Sequence, residues 1–284
     1  MLVLSPELLR AIIGFMDLPT QQHVQGVNHE MHTNVRLLAR KWPLYLNDED
    51  MDAQLQFAKG IIERQMKMTF VHLRVQSLDQ LSRIKIDIIT HLTFGEEFNQ
   101  PVKVDNLPKT VTHLTFGRSF DQPVDNLPLG VTHLTFGEEF NQPANELPKT
   151  VTHITLGRSF DQPVDNLPVG VTHLTFGEEF NQPVMVDNLP KTVTHLTFGD
   201  WYDQPVDNLP VGVTHLTFGG LFEHPLNELP KTVTHLTFGK WFDQPVDNLP
   251  VGVTHLTFGF KFNHPVPKGV TCILDRPPLN LGLV

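Results

Sequence analysis

The 284-residue chain has one cysteine, Cys272. A disulfide framework is excluded, and so is a zinc site built on several thiolates. Such a chain suits a reducing compartment, the cytoplasm or the nucleus. No stretch reaches the roughly 18 apolar residues of a membrane-spanning helix, so no membrane partner is expected. Met1-Leu2-Val3-Leu4-Ser5-Pro6-Glu7 has no basic segment ahead of a long apolar run, so no signal peptide is expected. Basic charge is also short, with 21 Lys and Arg against 31 Asp and Glu. Residues 1–88 are balanced, so the net charge of −10 arises after them. That acidic part repels phosphate backbones, so no nucleic-acid partner is expected; a basic protein partner fits better, and solubility alone is the plainer reading. There is no glycine-rich phosphate loop, nucleophile elbow or His-Glu-x-x-His helix. No catalytic residue and no cofactor is expected, and the chain does not read as an enzyme.

What is present is a repeat. His-Leu-Thr-Phe-Gly starts at His91, His113, His133, His173, His195, His215, His235 and His255, and His153 opens a His-Ile-Thr-Leu-Gly variant. The nine units are 20 residues apart, except for two steps of 22. Those two steps carry insertions at Val102-Lys103-Val104-Asp105 and Val184-Met185-Val186-Asp187. A second period lies on the first. The residues after Leu-Pro alternate between Lys-Thr (Lys109, Lys149, Lys191, Lys231) and an aliphatic residue with glycine (Leu129, Val169, Val211, Val251). The duplicating unit was therefore a pair of repeats.

Each unit predicts one short strand. In Val111-Thr112-His113-Leu114-Thr115-Phe116 apolar and polar residues alternate, and β-branched and aromatic types favour extended backbone. Gly117 ends the strand and Pro123 cannot join a ladder. Val111, Leu114, Phe116, Phe120, Val124 and Leu127 are expected to point inward. A turn of about 20 residues encloses no core alone, but stacked copies bury a continuous one. The expectation is a solenoid with one parallel sheet. Val71–Val75 and Ile84–Ile89 read as degraded rungs ahead of it. In Val270-Thr271-Cys272-Ile273-Leu274, Cys272 stands in the histidine place of a buried closing rung.

The spacing resembles the shortest leucine-rich repeats. Phe98-Asn99-Gln100-Pro101, Phe140-Asn141-Gln142-Pro143 and Phe180-Asn181-Gln182-Pro183 resemble the FNIP repeat more closely, with Gln in place of Ile and Asp often in place of Asn. The resemblance covers residues 89–266. It implies an interaction scaffold of the type known from social amoebae and giant amoebal viruses.

Ahead of the repeats, Ser5-Pro6-Glu7 reads as a helix start, followed by Leu8, Leu9, Ile12, Ile13 and Met16 at helical spacing. The pattern over about residues 2–42 resembles an F-box, although Gln21, Gln22 and His23 stand where leucines are common. That resemblance implies docking on a Skp-type adaptor of a cullin-RING ubiquitin ligase through Leu4, Pro6, Leu8, Leu9, Ile12, Met16 and Leu18. The alternative is a plain helical cap.

Two surface patterns follow from stacking. The repeat histidines would form a ladder, mostly neutral because close neighbours repel when charged. A straight ladder does not converge on a metal, so it reads as structural. After each glycine, Glu96-Glu97, Arg118-Ser119, Glu138-Glu139, Arg158-Ser159 and Glu178-Glu179 alternate in charge. The pattern then breaks into Asp200-Trp201, Gly220-Leu221, Lys240-Trp241 and Phe260-Lys261. Large apolar residues at an outward position suggest a partner patch of Trp201, Leu221, Trp241 and Phe260.

The sequence thus reads as an α+β chain. A helical F-box-like module (1–45) and a linking helix (46–69) precede a degenerate cap (70–90). Nine FNIP-like repeats (91–266) form a leucine-rich-repeat-like solenoid, and residues 267–284 are a C-terminal cap and tail. The implied role is a substrate receptor of a ubiquitin ligase, in the cytoplasm (a host's, if the chain is viral). It would bind a Skp-type adaptor and cullin at one end and an unknown, basic target at the other. A scaffold or decoy without a ubiquitin role is the alternative.

Overall fold

The computed structural model describes residues 44–45, 71–84, 89–184, 188–207 and 209–274. They build one twelve-stranded parallel sheet in which the strands lie side by side in sequence order. β1 is Leu44–Tyr45, β2 is Val71–Val75 and β3 is Ile89–Phe94. β4 to β10 are the His-Leu-Thr segments (His-Ile-Thr in β6) that start at His113, His133, His153, His173, His195, His215 and His235. β11 is His255–Phe258 and β12 is Thr271–Leu274. From β3 to β11 every histidine pairs with the histidine of the next rung.

The α+β class is not what the described residues form. They are an all-parallel β-solenoid of leucine-rich-repeat type, and their one α-helix is α1 (Leu78–Ile84). Part of the reason is steric: a rung of about 20 residues spends its length on a strand, a proline turn and a return, with no room for a helix. Leu44 and Tyr45, assigned to the helical module, instead pair with Leu73 and Arg74. The open edge of β2 offers unpaired backbone groups that an adjacent segment satisfies. The remainder of the helical module and all of the linking helix, residues 46–69, lie outside the described residues. So do Leu4, Pro6, Leu8, Leu9, Ile12, Met16 and Leu18.

The two ends also differ from the sequence reading. Ile84–Ile89 is not a rung, since Ile84 ends α1 and Ile89 opens β3. Ser77 starts the helix, its Oγ accepting the Gln80 amide at 3.2 Å. At the other end, the ladder sets Thr271 opposite His255 and Cys272 opposite Leu256. Cys272 thus takes the inward place rather than the histidine place. It is half-buried, and burial raises its thiol pKa.

All six residues expected inward (Val111, Leu114, Phe116, Phe120, Val124 and Leu127) are buried. Within a rung, the two phenylalanines stack face to face, as in Phe116–Phe120 at 3.8 Å between centroids. Between rungs, each continues a column, as in Phe116–Phe136 at 5.6 Å. Rungs come this close because glycine follows the strand. A Cβ on Gly137 would stand 2.0 Å from the Gly117 carbonyl oxygen.

The Phe-Asn-Gln-Pro signature has a mechanical meaning. Asn99 Oδ1 accepts the Asp121 backbone amide at 3.0 Å and the Gln122 side-chain amide at 2.9 Å, both on the next rung. Asp121 Oδ1 does the same for Asn141 and Gln142, and Asn141 for Asp161 and Gln162. Either Asn or Asp serves because only one side-chain oxygen is used, and the two alternate from Asn99 to Asp203. At His224 and His264 the ring replaces the glutamine amide, Nε2 lying 3.1 and 2.9 Å from the Asp203 and Asp243 carbonyls.

Candidate functional site

The histidine ladder runs along the outer face of the sheet. Neighbouring rings stack at 4.0 to 4.3 Å between centroids, nearly parallel. Each Nδ1 sits on the hydroxyl of the preceding threonine, as His133 on Thr132 at 2.9 Å. The threonine Oγ also lies 3.1 Å from the Thr112 carbonyl of the rung before. The rings are thereby fixed, and their Nε2 atoms point alike instead of converging. Among the described residues no group of three His, Cys, Asp or Glu side chains could hold a metal ion. Burial first, and neighbouring histidines second, lower the pKa of His133, His153, His173, His195, His215 and His235.

The charge row beside the glycines is built of ion pairs between rungs. Arg118 Nε lies 3.2 Å from Glu138, and Arg158 reaches Glu178 at 3.1 Å and Glu179 at 3.3 Å. Exposed pairs of this kind each contribute at most about 1 kcal/mol. Their arrangement fixes register more than stability.

From Asp200 onward the row changes character. Trp201, Leu221 and Trp241 occupy one column, held at successive rungs by backbone bonds such as Leu221 N to Asp200 O at 2.8 Å. Phe260 lies in the adjacent column, with Asp200, Gly220 and Lys240. It meets Trp241 edge to face at 5.5 Å. The four side chains are 47%, 46%, 37% and 40% exposed, high for residues of their size. Trp201, Leu221 and Trp241 border a hollow of about 500 Å³, and Phe260 borders one of about 570 Å³. Lys240 lines both, so the two make one groove. Threonines of the sheet and Gly219, Gly239 and Gly259 also line it. Tyr202, next to Trp201, is fully buried in the phenylalanine column.

The sequence reading named Trp201, Leu221, Trp241 and Phe260 as the patch and did not include two lysines beside them. Lys240 and Lys261 stand against the rings of Trp241 and Phe260. A signal was available: Lys-Trp at 240–241 inverts to Phe-Lys at 260–261, which sets each lysine in the same column as the other rung's aromatic.

The FNIP-repeat profile matches residues 87–119, 120–159, 160–200, 202–241 and 224–261, most of the chain. The chain belongs to the FNIP-repeat family. Each match takes in about two rungs. No curated protein sequence matches the chain. Among solved structures, the FNIP solenoid is similar to CroV588, whose crystal structure is described as a novel circular LRR protein. Identity is 38% over 73% of this chain, with a TM-score of 0.65. The chain spans about a third of CroV588, 33% of its length. A leucine-rich-repeat-type solenoid of FNIP repeats is consistent with a protein-interaction scaffold. No helix among the described residues is long and apolar enough to cross a membrane.

Proposed function

We propose that this FNIP protein is a receptor that holds a target protein in the groove of its last rungs and delivers it to a ubiquitin ligase. One observation carries the binding half. The charge-paired row gives way, over four successive rungs, to exposed aromatic and aliphatic side chains lining a groove. Burying such side chains on a partner supplies roughly 25 cal/mol per Å² of apolar surface. Aromatic anchors at the centre of a patch carry most of an interface's energy. The acidic remainder of the surface favours a target with a basic face.

The delivery half rests on the F-box resemblance of residues 2–42. Leu4, Pro6, Leu8, Leu9, Ile12, Met16 and Leu18 would contact the Skp-type adaptor, and the cullin complex would follow. The chain does no chemistry in this reading. It raises the local concentration of target beside the ligase, in the cytoplasm or the nucleus.

The test is co-precipitation of the full chain, and of a Leu8→Asp plus Ile12→Asp variant, with a Skp-type adaptor and cullin. Recovery with the parent but not with the variant is expected. Failure of both, with both chains folded, removes ubiquitin from the account and leaves a scaffold.

A further inference from the structure

Lys240, which lines the groove, and Lys261, which stands on the Trp241 ring at its edge, differ from the arginines near the glutamate rows. Arg74, Arg118 and Arg158 each pair with glutamates of a neighbouring rung. Among the described residues, neither Lys240 nor Lys261 has a carboxylate within ion-pair distance. Both are exposed. Lys240 Nζ stands 5.5 Å from the Trp241 ring and 5.7 Å from the Phe260 ring. Lys261 Nζ stands 5.1 Å from the Trp241 ring. Contact with a ring face holds an ammonium in place, but it does not neutralise it as a carboxylate would. The rows ahead of the groove thus hold their arginines among more numerous glutamates, whereas the last two rungs carry two lysines with no carboxylate beside them.

We infer that the groove takes an extended acidic segment of the partner, with an apolar side chain against Trp201, Leu221 and Trp241 and a carboxylate on Lys240 and Lys261. The inference rests on the reading that the groove is the target-binding site. Dimensions support it. Three rung steps separate Trp201 from Phe260, about 14 Å at ordinary strand spacing, which is about four extended residues. Main-chain addition does not hold the segment there, because these rungs have spent their own amides: Trp241 N donates to Gly220 O at 3.0 Å and Leu221 N to Asp200 O at 2.8 Å. Recognition then falls to the side chains. Asp200, also exposed, marks the other end of the groove and repels an acid there. The groove thus has a polarity, with the acidic residue of the segment over the last two rungs. A basic face elsewhere on the same partner remains compatible with the glutamate rows.

The test uses random peptides displayed on phage and selected on the folded full-length chain. Enriched peptides are synthesised and measured by fluorescence anisotropy. They are tested on the parent, on Lys240→Gln plus Lys261→Gln, and on Trp201→Ala plus Trp241→Ala. The expected pool carries Asp or Glu beside an apolar residue. It binds the lysine variant at least about tenfold more weakly, and it weakens as salt rises. A basic or uncharged consensus, the absence of any binder, or equal binding by the lysine variant overturns the inference. Loss on the tryptophan variant alone keeps the groove and overturns only its preference for acid. Equal binding by both variants overturns the groove reading itself.

Discussion

A Cβ on Gly177 would stand 1.9 Å from the carbonyl oxygen of Gly157 on the rung before it. That separation is inside any contact between real atoms, and the obstacle is backbone, which cannot swing away. Gly177→Ala is therefore expected to force the rungs apart and cost at least about 3 kcal/mol, the upper part of the overpacking range. Gly170 is the control. Its Cβ would meet nothing nearer than 3.5 Å and its φ is not left-handed, so Gly170→Ala is expected to be neutral or to stabilise by about 0.5 kcal/mol. Urea unfolding of the two variants checks the pair. Equal effects would contradict the close-stacking account.

Tyr202 is the one tyrosine in a column of phenylalanines, and its hydroxyl has no partner among the described residues. Burial accordingly drives its pKa upward. Tyr202→Phe removes an unsatisfied polar atom and keeps the ring stack with Phe180 and Phe222. A gain of about 1 kcal/mol is expected in thermal or urea unfolding. A loss would mean that the hydroxyl has a bonding partner after all.

The Asn-Gln-Pro ladder predicts an asymmetry between two substitutions at one site. Asn141→Leu strands the Asp161 amide and the Gln162 side chain, at a cost of about 2 kcal/mol. Asn141→Asp keeps the accepting oxygen but sets a carboxylate between Asp121 and Asp161, so it is expected to cost about 1 kcal/mol or less, clearly below the leucine substitution. Similar losses from both would show that the ladder contributes no stability.

The histidine ladder makes stability depend on pH. Six rings have pKa values lowered from 6.5 in the fold, so below that value the unfolded chain binds more protons than the folded one. The ladder's stabilisation is complete above about pH 6.5 and declines as pH falls toward the lowered values. Tm is expected to fall between pH 7 and pH 5, and His153→Gln plus His173→Gln should flatten the fall. A Tm that holds or rises on acidification would contradict the assignment.

Much of this was legible in the sequence because a repeat averages out local ambiguity. The pattern Val111-Thr112-His113-Leu114-Thr115-Phe116 fixes one strand face, and its recurrence fixes stacking and register together. The broken charge row at Trp201, Leu221 and Trp241 was visible for the same reason, as a departure from a known period. Reading failed where the period failed. Cys272 sits one place off its apparent alignment because the closing rung pairs by backbone register, and only one neighbouring rung constrains it. Leu44–Tyr45 was invisible as a strand because its partner, β2, is remote in sequence. The inversion at Lys240-Trp241 and Phe260-Lys261 was legible in the chain, but the isolation of both lysines from carboxylates is a property of space.

The groove is the centre of the account, and one measurement bears on it directly. Proteins bound by the full chain are quantified beside those bound by Trp201→Ala plus Trp241→Ala, with folding of both verified by circular dichroism. The expected result is that a defined subset is lost from the variant while proteins held elsewhere remain. An unchanged set of bound proteins would contradict the account.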